Sequence, residues 1–358
     1  MKKTLLSLLL ITILVITKAQ IPAGYYNNAS GKTGASLKTA LYNIIKVHTD
    51  VTYGGLYNAY MVTDKKPDGS VLDMYSNCTF SYSVASDRCG NYSKECDCFN
   101  REHSFPQSWF NSSSPMVADM FHIYPTDGKV NGMRSNYPYG KVSSPTYTSA
   151  NGSKLGPCTF PGYTSTVFEP IDEYKGDLAR GYFYMATRYE NLIASWQSNG
   201  NANEILNGTQ FPCFDPWFLN LLLTWNAADP VSQREIDRNN SIYTSYQHNR
   251  NPYIDHPEYA NLVWGINTGL GDEYSKVALQ VYPNPVSEMC TVSLPVDFNQ
   301  QNTAFTVYSS TGTPVFTPVT VSGDKAVLNL ENAPSGFYLV RLKNDANGII
   351  YQARIIKK

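Results

Sequence analysis

The character of the chain changes once along its length, near residue 276. From there to residue 358 the sequence consists of short alternating runs, including AFTVYSS, KAVLNL, GFYLVRL and IIYQARI, each bounded by Pro, Gly, Asn or Asp. Such runs are typical of strands in a small β-sandwich. Before Gly269 the sequence is polar, aromatic and free of repeats. The chain therefore predicts two domains of different class: a first domain at residues 20–270, a linker at 271–278 and an all-β domain at 279–358.

Helical periodicity is clearest in two stretches of the first domain. Within Tyr174–Trp196, apolar residues recur at helical spacing. A second candidate begins at Asp215, an N-cap residue followed by a proline, and breaks at Asp229–Pro230. We interpret these stripes as core-facing surfaces and not as a cofactor site. Together with strands expected near residue 100, they predict an α+β fold for the first domain.

The first 19 residues have the layout of a secretory signal peptide. Lys2 and Lys3 precede an apolar run that ends near Ile16, and Ala19 offers a small residue for cleavage. A membrane anchor is the weaker alternative, because the run is shorter than the roughly 20 residues needed to span a bilayer. We therefore expect residues 1–19 to direct export.

Export affects how the cysteines are interpreted. Six of the seven lie in the first domain, and Cys290 stands alone in the second. In an oxidising compartment six cysteines favour disulfides over reactive thiols. Zinc binding by the cluster Cys89, Cys96 and Cys98 is the weaker alternative, because no Cys-x-x-Cys pair recurs. A bridge at Cys98 would fix the entry to the segment that follows it.

That segment, NREHSFPQSW at Asn100–Trp109, places Glu102 directly beside His103. A second segment, Asp119–Gly140, adds amide and guanidinium side chains. Together they supply a base, oxygen ligands for a hard cation and donors for a phosphate. This combination favours metal-assisted hydrolysis of a phosphodiester.

The first domain resembles the endonuclease I family, whose members are ββα-metal (His-Me finger) nucleases. The resemblance rests on four blocks in order: NREHSFPQSW, DMFHIYPTDGKVNGMRSN, YKGDLARGYFYMATRY and the segment at Trp225–Gly265. It implies that His103 is the general base and that Glu102 and Asn131 are metal ligands. A neutral imidazole suits the first role, and carboxylate and amide oxygens suit Mg²⁺, with Mn²⁺ or Ca²⁺ as alternatives.

The chain departs from better-known members of this family at two points. Phe121 stands where some members carry a histidine, with His122 following. The loop in which some members place a phosphate-binding arginine is short here, and we select Arg134 for that catalytic role, one helical turn after Asn131. Arg101 and Arg250 are weaker candidates for the phosphate contact, and His256 is a weaker candidate for a direct role.

The pairing of Glu102 with His103 raises a geometric question. Adjacent residues of a regular strand point to opposite faces. Either a bulge or twist intervenes, or the cation site lies at the edge of the strand. The sequence leaves both alternatives open.

The charge of the first domain limits how it can bind a polyanion. Residues 20–270 contain 18 Lys and Arg against 22 Asp and Glu. The excess of basic residues expected of a simple nucleic-acid binder is therefore missing. We expect local binding around a few cations, namely Arg101, Lys129, Arg134 and Lys141. This favours turnover over a stoichiometric nucleic-acid coat.

The second domain resembles the C-terminal sorting domain of the type IX secretion system. The likeness rests on YPNP at Tyr282–Pro285, the stretch SGFYLVRL and the basic end Lys357–Lys358. It implies transport across an outer membrane by the type IX machinery, followed by release or surface attachment. An ordinary carbohydrate- or protein-binding β-module is the alternative.

These features predict a secreted or cell-surface, Mg²⁺-dependent endonuclease that acts as a monomer. We expect it to cut DNA, with RNA as a second substrate, with little sequence preference and to leave 5′-phosphate ends. One alternative is a catalytically silent surface protein that binds nucleic acid. Another is a phosphodiesterase for small nucleotides.

Overall fold

The computed structural model describes residues 21–265, 276–295, 298, 303–309, 314–315, 317–344 and 350–358. The chain divides into two compact units, Met1–Gly265 and Ile266–Lys358. The predicted signal peptide at residues 1–19 lies outside the described residues, as does the 271–275 part of the predicted linker. None of the helices in the described ranges is long and apolar enough to cross a membrane.

The first unit combines helices with small antiparallel sheets, which confirms the α+β prediction. Its helices are α1 (Gly34–Ile45), α2 (Leu56–Thr63), α3 (Gly128–Arg134), α4 (Lys175–Arg188), α5 (Ile193–Trp196), α6 (Pro216–Ala228), α7 (Gln233–Ser245), α8 (Pro252–Asp255) and α9 (Glu258–Trp264). Its strands are β1 (Phe99–His103), β2 (Ile123–Asp127), β3 (Tyr147–Thr148), β4 (Lys154–Pro157) and β5 (Thr166–Glu169). Strands β1 and β2 form one sheet, and β3, β4 and β5 form another in that order.

Helix α4 lies at the centre of the first unit. All of its residues from Gly176 to Arg188 are buried. The helix is shorter than the predicted stretch Tyr174–Trp196, because the chain turns after Arg188 and resumes as α5. The turn brings Glu190 within 3.0 Å of the Thr39 hydroxyl and 3.5 Å of the Lys38 ammonium on α1. Pairing of the buried Lys38 and Glu190, with the Thr39 hydroxyl beside them, thus accompanies the end of the helix.

The second predicted helical stretch is confirmed as two helices. Helix α6 begins at Pro216 and ends before Asp229, where the prediction placed the break. Helix α7 begins with a capping box, in which Ser232 and Glu235 satisfy each other's backbone N–H groups. Glu235 also forms an ion pair with Arg180 on α4, 2.6 Å between Oε1 and Nε. The cap of α7 therefore also joins α7 to the central helix.

Strands β1 and β2 and helix α3 form a compact ββα unit. The two strands pair antiparallel in continuous register, from Phe99 opposite Asp127 to His103 opposite Ile123. Helix α3 begins directly after β2. Asp127, the last residue of β2, caps the helix because its side chain accepts the Val130 N–H at 2.9 Å. This arrangement places the end of β1 and the residues of α3 side by side.

Two disulfides, Cys78–Cys96 and Cys89–Cys98, brace the segment that leads into β1. The expected bridge at Cys98 is therefore confirmed, and the cluster of three cysteines is not a zinc site, because all three are oxidised. The expectation of disulfides was wrong for Cys158 and Cys213, which are buried free thiols. Cys213 lies near Lys38 and Glu190 in the core, where burial raises the pKa of its thiol to about 12.

The second unit is all-β, as predicted. Its strands are β6 (Lys276–Ala278), β7 (Val281–Tyr282), β8 (Met289–Ser293), β9 (Thr303–Ser309), β10 (Pro314–Val315), β11 (Val319–Ser322), β12 (Lys325–Asn329), β13 (Gly336–Asn344) and β14 (Ile350–Lys357). One sheet has the order β10-β9-β13-β14-β6, and the other has the order β11-β12-β8-β7. Buried residues of both sheets, such as Val292, Leu328 and Val340, share one core. Residues 276–278, which the sequence assigned to the linker, form β6.

Candidate functional site

A polar cavity of about 350 Å³ opens where β1 meets α3. Its lining includes all four residues selected from the sequence, namely Glu102, His103, Asn131 and Arg134. They come from two segments about thirty positions apart, and the ββα unit brings them together. The structure therefore gathers the predicted site residues, while their chemical roles stay predictions.

Glu102 and His103 reach the same cavity from a regular strand. The continuous pairing of β1 with β2 places no bulge at these residues. His103 is the last residue of β1, so the strand ends where the two side chains diverge. The continuous pairing therefore excludes the bulge, and both side chains border the cavity where β1 ends.

The histidine is held with one ring nitrogen facing a carbonyl. His103 Nε2 lies 3.2 Å from the Val117 carbonyl oxygen, so Nε2 carries the proton and donates to it. Among the described residues no hydrogen bond engages Nδ1, so this nitrogen keeps its lone pair. Burial, with the nearby His122 as the next cause, lowers the pKa of His103 to about 3. The imidazole is therefore neutral at physiological pH and able to accept a proton.

Glu102 and Arg134 form a buried ion pair. Arg134 Nη1 lies 2.9 Å from Glu102 Oε1, and their side chains are only 1% and 3% exposed. The Tyr75 hydroxyl donates to the same oxygen at 2.8 Å. Burial raises the pKa of the Glu102 carboxyl, and Arg134 and Tyr75 oppose that shift. Among the described contacts Oε1 carries both partners, so Oε2 is the oxygen available for a cation.

The Arg134 guanidinium also binds the backbone where β1 ends, at His103 and Ser104. Nη1 also donates to the His103 carbonyl at 2.9 Å, and Nη2 donates to the Ser104 carbonyl at 2.6 Å. The guanidinium carbon lies 4.8 Å from the centre of the Tyr139 ring. Arg134 is on α3, one turn after Asn131, as predicted. Its contact with a substrate phosphate stays a prediction, while its contacts with Glu102 and β1 are structural.

Asn131 is oriented by a neighbour that the sequence reasoning missed. Its Nδ2 donates to Asn100 Oδ1 at 2.7 Å, which leaves the Asn131 Oδ1 available for the predicted role as a ligand. Asn100 is on β1, two residues before Glu102, and it also lines the cavity. Its position in the NREH motif indicated that Asn100 is near the site. Its contact with Asn131 could not be predicted, because that contact depends on how α3 packs against β1 and β2.

The other candidate cations divide into two groups. Arg101 lines the cavity, where its Nη1 donates to the Tyr53 carbonyl at 2.7 Å. Lys129 and Lys141 are not among the lining residues. Arg250 is also outside the lining and forms a buried ion pair with Asp255, 2.6 Å from Nε to Oδ2. Of the predicted local cations, Arg101 and Arg134 thus border the cavity.

His256 is outside the cavity as well. Its Nδ1 lies 3.0 Å from Glu258 Oε1, and its ring packs against Tyr26 and Tyr259. These contacts account for the histidine without a role in chemistry.

A further group of potential ligand atoms lies beside the disulfides and consists of Asp73, Cys78 and Asp127. The sulfur of Cys78 is bonded to Cys96 and offers no thiolate. The carboxylates of Asp73 and Asp127 accept backbone N–H groups at Tyr75 and Val130. Carboxylates engaged in this way act as turn and helix caps, so this group is a weaker cation site than Glu102 with Asn131.

A hairpin and helix that gather a histidine, a carboxylate and an amide in one cavity are the arrangement expected of a ββα-metal nuclease. A family profile described as Endonuclease I matches residues 33–258. The chain therefore belongs to the endonuclease I family.

Curated relatives agree with this assignment. The chain is 36% identical over 249 residues to the extracellular ribonuclease of Bacillus subtilis (strain 168), covering 67% of this chain and 78% of the relative. It is 37% identical over 256 residues to the extracellular ribonuclease of Bacillus amyloliquefaciens, covering 70% and 81%. Endonuclease-1 of Buchnera aphidicola subsp. Baizongia pistaciae is 29% identical over 137 residues, covering 38% and 45%.

The second unit matches a profile described as a secretion system C-terminal sorting domain, at residues 280–358. The resemblance to a type IX sorting domain is thereby confirmed. Together with the extracellular relatives, this domain identifies the protein as a secreted or cell-surface nuclease that acts on nucleic acid.

Proposed function

We propose that this protein is a metal-dependent endonuclease that hydrolyses DNA and RNA with little sequence preference and leaves 5′-phosphate ends. One observation supports the proposal above the others. A neutral His103, with Nδ1 unengaged among the described contacts, shares a cavity with the oxygens of Glu102 and Asn131. The extracellular relatives named as ribonucleases support RNA as a substrate beside DNA.

His103 acts as the general base in this proposal. Its Nδ1 takes a proton from the water that attacks phosphorus, while Nε2 stays bonded to the Val117 carbonyl. That bond fixes the ring tautomer and its orientation. The low pKa keeps the base deprotonated, although it also reduces its intrinsic strength as a proton acceptor.

Glu102 and Asn131 are the residues that would hold the cation. A carboxylate and an amide oxygen are hard ligands that suit Mg²⁺, and Mn²⁺ and Ca²⁺ accept the same ligand types. When bound, such a cation supplies positive charge to the phosphate and to the departing 3′ oxygen. Asn100 orients the amide, and Arg134 orients the carboxylate.

We assign Arg134 a positioning role in addition to the predicted phosphate contact. It holds Glu102 and the carbonyls of His103 and Ser104 with three donor contacts. A residue engaged in this way fixes the end of β1 against α3. Arg101, which also lines the cavity, is a second cation for the phosphate chain.

The test is a plasmid-nicking assay with the full secreted chain. We expect nicking with Mg²⁺ or Mn²⁺, loss of nicking in excess EDTA, and ends that ligate without prior phosphorylation. His103→Ala should lower the rate by about 10²–10⁴-fold. His256→Ala is the matched control, because this histidine is outside the cavity, and it should cut like wild type.

The same assay separates the alternatives. Full activity in excess chelator would refute the metal mechanism, and an unchanged rate in His103→Ala would refute the assigned base. Tight binding of nucleic acid without any cleavage would indicate a silent binding protein. Turnover of dinucleotides with inert plasmid would indicate a small-nucleotide phosphodiesterase.

We also propose that the mature protein is a monomer and that residues 20–270 form an independent nuclease domain. Each unit has its own buried core, one centred on residues such as Tyr182 and Phe183 and the other on Val292 and Val340. Size-exclusion chromatography with light scattering would show a dimer if the monomer proposal is wrong.

A further inference from the structure

Two tyrosines with exposed rings stand at the rim of the cavity. Tyr53 and Tyr92 both line it, and they are 37% and 39% exposed. Large aromatic residues of the first unit are mostly buried, including Tyr75 and Tyr139 below the same site. An exposed aromatic ring beside reactive groups is available to a ligand, so the two positions require an explanation.

Tyr92 rests on the helix that carries Asn131. A Cβ added at Gly132 would collide with the Tyr92 hydroxyl, and a Cβ added at Gly128 would lie 2.8 Å from its ring. Glycines four residues apart lie on one face of a helix, so together they form a flat seat for the ring. The Cys89–Cys98 disulfide closes the loop that bears Tyr92. The ring is therefore fixed on the Asn131 side of the cavity.

Tyr53 lies beside His103. Its ring lies 5.9 Å from the His103 ring with an angle of 23° between the planes. The Arg101 guanidinium lies 3.4 Å from the centre of the Tyr53 ring and also donates to the Tyr53 carbonyl. Arg101 thus holds the tyrosine in place and puts a positive charge at the rim, although more than a third of Tyr53 is still exposed.

We propose that Tyr53 and Tyr92 bind the nucleobases on either side of the scissile phosphate, and that the preferred substrate is single-stranded nucleic acid. Tyr53 adjoins His103 and Tyr92 adjoins the helix that carries Asn131, so a phosphate held by these groups has an exposed tyrosine beside each of them. A base can stack on a protein ring only if its own face is free. In a duplex both faces are covered by adjacent base pairs, whereas a single strand can turn its bases outward.

This proposal rests on the proposed nuclease function, and it adds the class of substrate. Stacking tolerates any sequence, because every base has an aromatic face. It thereby supplies affinity without base readout, consistent with a domain that has no excess of basic residues.

The decisive experiment compares one oligonucleotide sequence as a single strand and as a blunt duplex. Wild type should cleave the single strand with the higher kcat/KM. Tyr92→Leu and Tyr53→Leu should each lower kcat/KM on the single strand by about 5- to 150-fold, the range for loss of one base–aromatic stack. On the duplex the same variants should lose a smaller factor in kcat/KM than on the single strand, because no stack is lost there.

Three controls accompany these variants. Tyr92→Phe and Tyr53→Phe keep the ring and should retain the single-strand rate. Tyr137→Leu removes a ring that is 38% exposed but does not line the cavity, and it should act like wild type. Gly132→Ala should displace Tyr92 from its seat and reproduce the single-strand loss. Thermal unfolding of each variant excludes a general loss of structure.

Binding separates failure of this inference from failure of the proposed function. In EDTA, fluorescence anisotropy with a labelled single strand should show weaker binding by Tyr92→Leu than by wild type, even if no cleavage occurs under any condition. An absence of cleavage by wild type with Mg²⁺ or Mn²⁺ would refute the nuclease proposal alone. Equal losses on single strand and duplex, or unchanged binding and cleavage in both Leu variants, would overturn the stacking role.

Discussion

The pair Arg134–Glu102 allows a sharp prediction, because one substitution distinguishes a structural role from a phosphate contact. Arg134→Met keeps much of the side-chain volume and removes the charge. It leaves the buried Glu102 carboxylate without its ion-pair partner and the His103 and Ser104 carbonyls without their donors. Removing one member of a buried ion pair typically costs about 3–5 kcal/mol. We expect a loss of unfolding free energy in this range.

Urea unfolding followed by tryptophan fluorescence is a suitable assay, because all five tryptophans lie between residues 109 and 264 and report on the first unit. The double variant Glu102→Gln with Arg134→Met should lose less stability than the sum of the two single variants, since the unpaired charge is gone. Lys141→Met, at an exposed position, should change stability by less than about 0.5 kcal/mol.

The activity of Arg134→Met distinguishes the two roles. An orienting residue acts on the cation through Glu102, so its loss should raise the metal concentration needed for half-maximal rate. If stability stays within about 1 kcal/mol of wild type and kcat alone collapses at saturating metal, the reasoning is refuted. Arg134 would then act on the phosphate, as the sequence predicts.

Four further outcomes are expected. Asn100→Ala should raise the metal concentration for half activity by about 10–100-fold, because Asn131 loses its orienting partner, and a metal titration of the rate checks this. The acid limb of the pH–rate profile should have its midpoint below the reference imidazole pKa of about 6.5. Burial lowers the pKa of His103, so the base stays neutral in more acidic solution. A midpoint above about 6.5 would contradict the assignment of His103 as the base. Alkylation of the unfolded, unreduced protein should modify three cysteines, and reduction should then expose four more while costing roughly 2–5 kcal/mol for each bridge. A chain that ends at residue 270 should nick DNA at close to the full-length rate but should fail to leave the native host cell.

Features set by local sequence could be predicted well. The break at Asp229–Pro230 was predictable because proline removes a helical hydrogen bond. The capping box of α7 involves only Ser232 and Glu235, three residues apart, so it too depends on local sequence. The alternating strands of the second unit follow from a period of two. The end of α4 was not predictable, because apolar spacing continues past Arg188 and only contacts with α1 mark the turn.

Residues that act through long-range contacts were the ones missed. Tyr75 donates to Glu102 across 27 positions, and its own neighbourhood gives no sign of this. The unpaired Cys158 and Cys213 are a similar case. Their number suggested a third bridge, whereas the fold gives them separate buried positions. An oxidising compartment predicts that cysteines form disulfides. Which cysteines pair depends on which parts of the backbone come close together in the fold.

The adjacency of Glu102 and His103 shows how a local rule and the fold combine at the site. Alternation along β1 sends the two side chains in different directions, and that separation allows different environments. Glu102 turns toward Arg134 and Tyr75 and is held by charge, while His103 is buried against the Val117 carbonyl and kept neutral. A cation ligand needs a charged carboxylate, whereas a base needs a neutral imidazole. Two neighbouring positions at the end of one strand can therefore serve both functions, provided that α3 supplies the arginine on one side and the amide on the other.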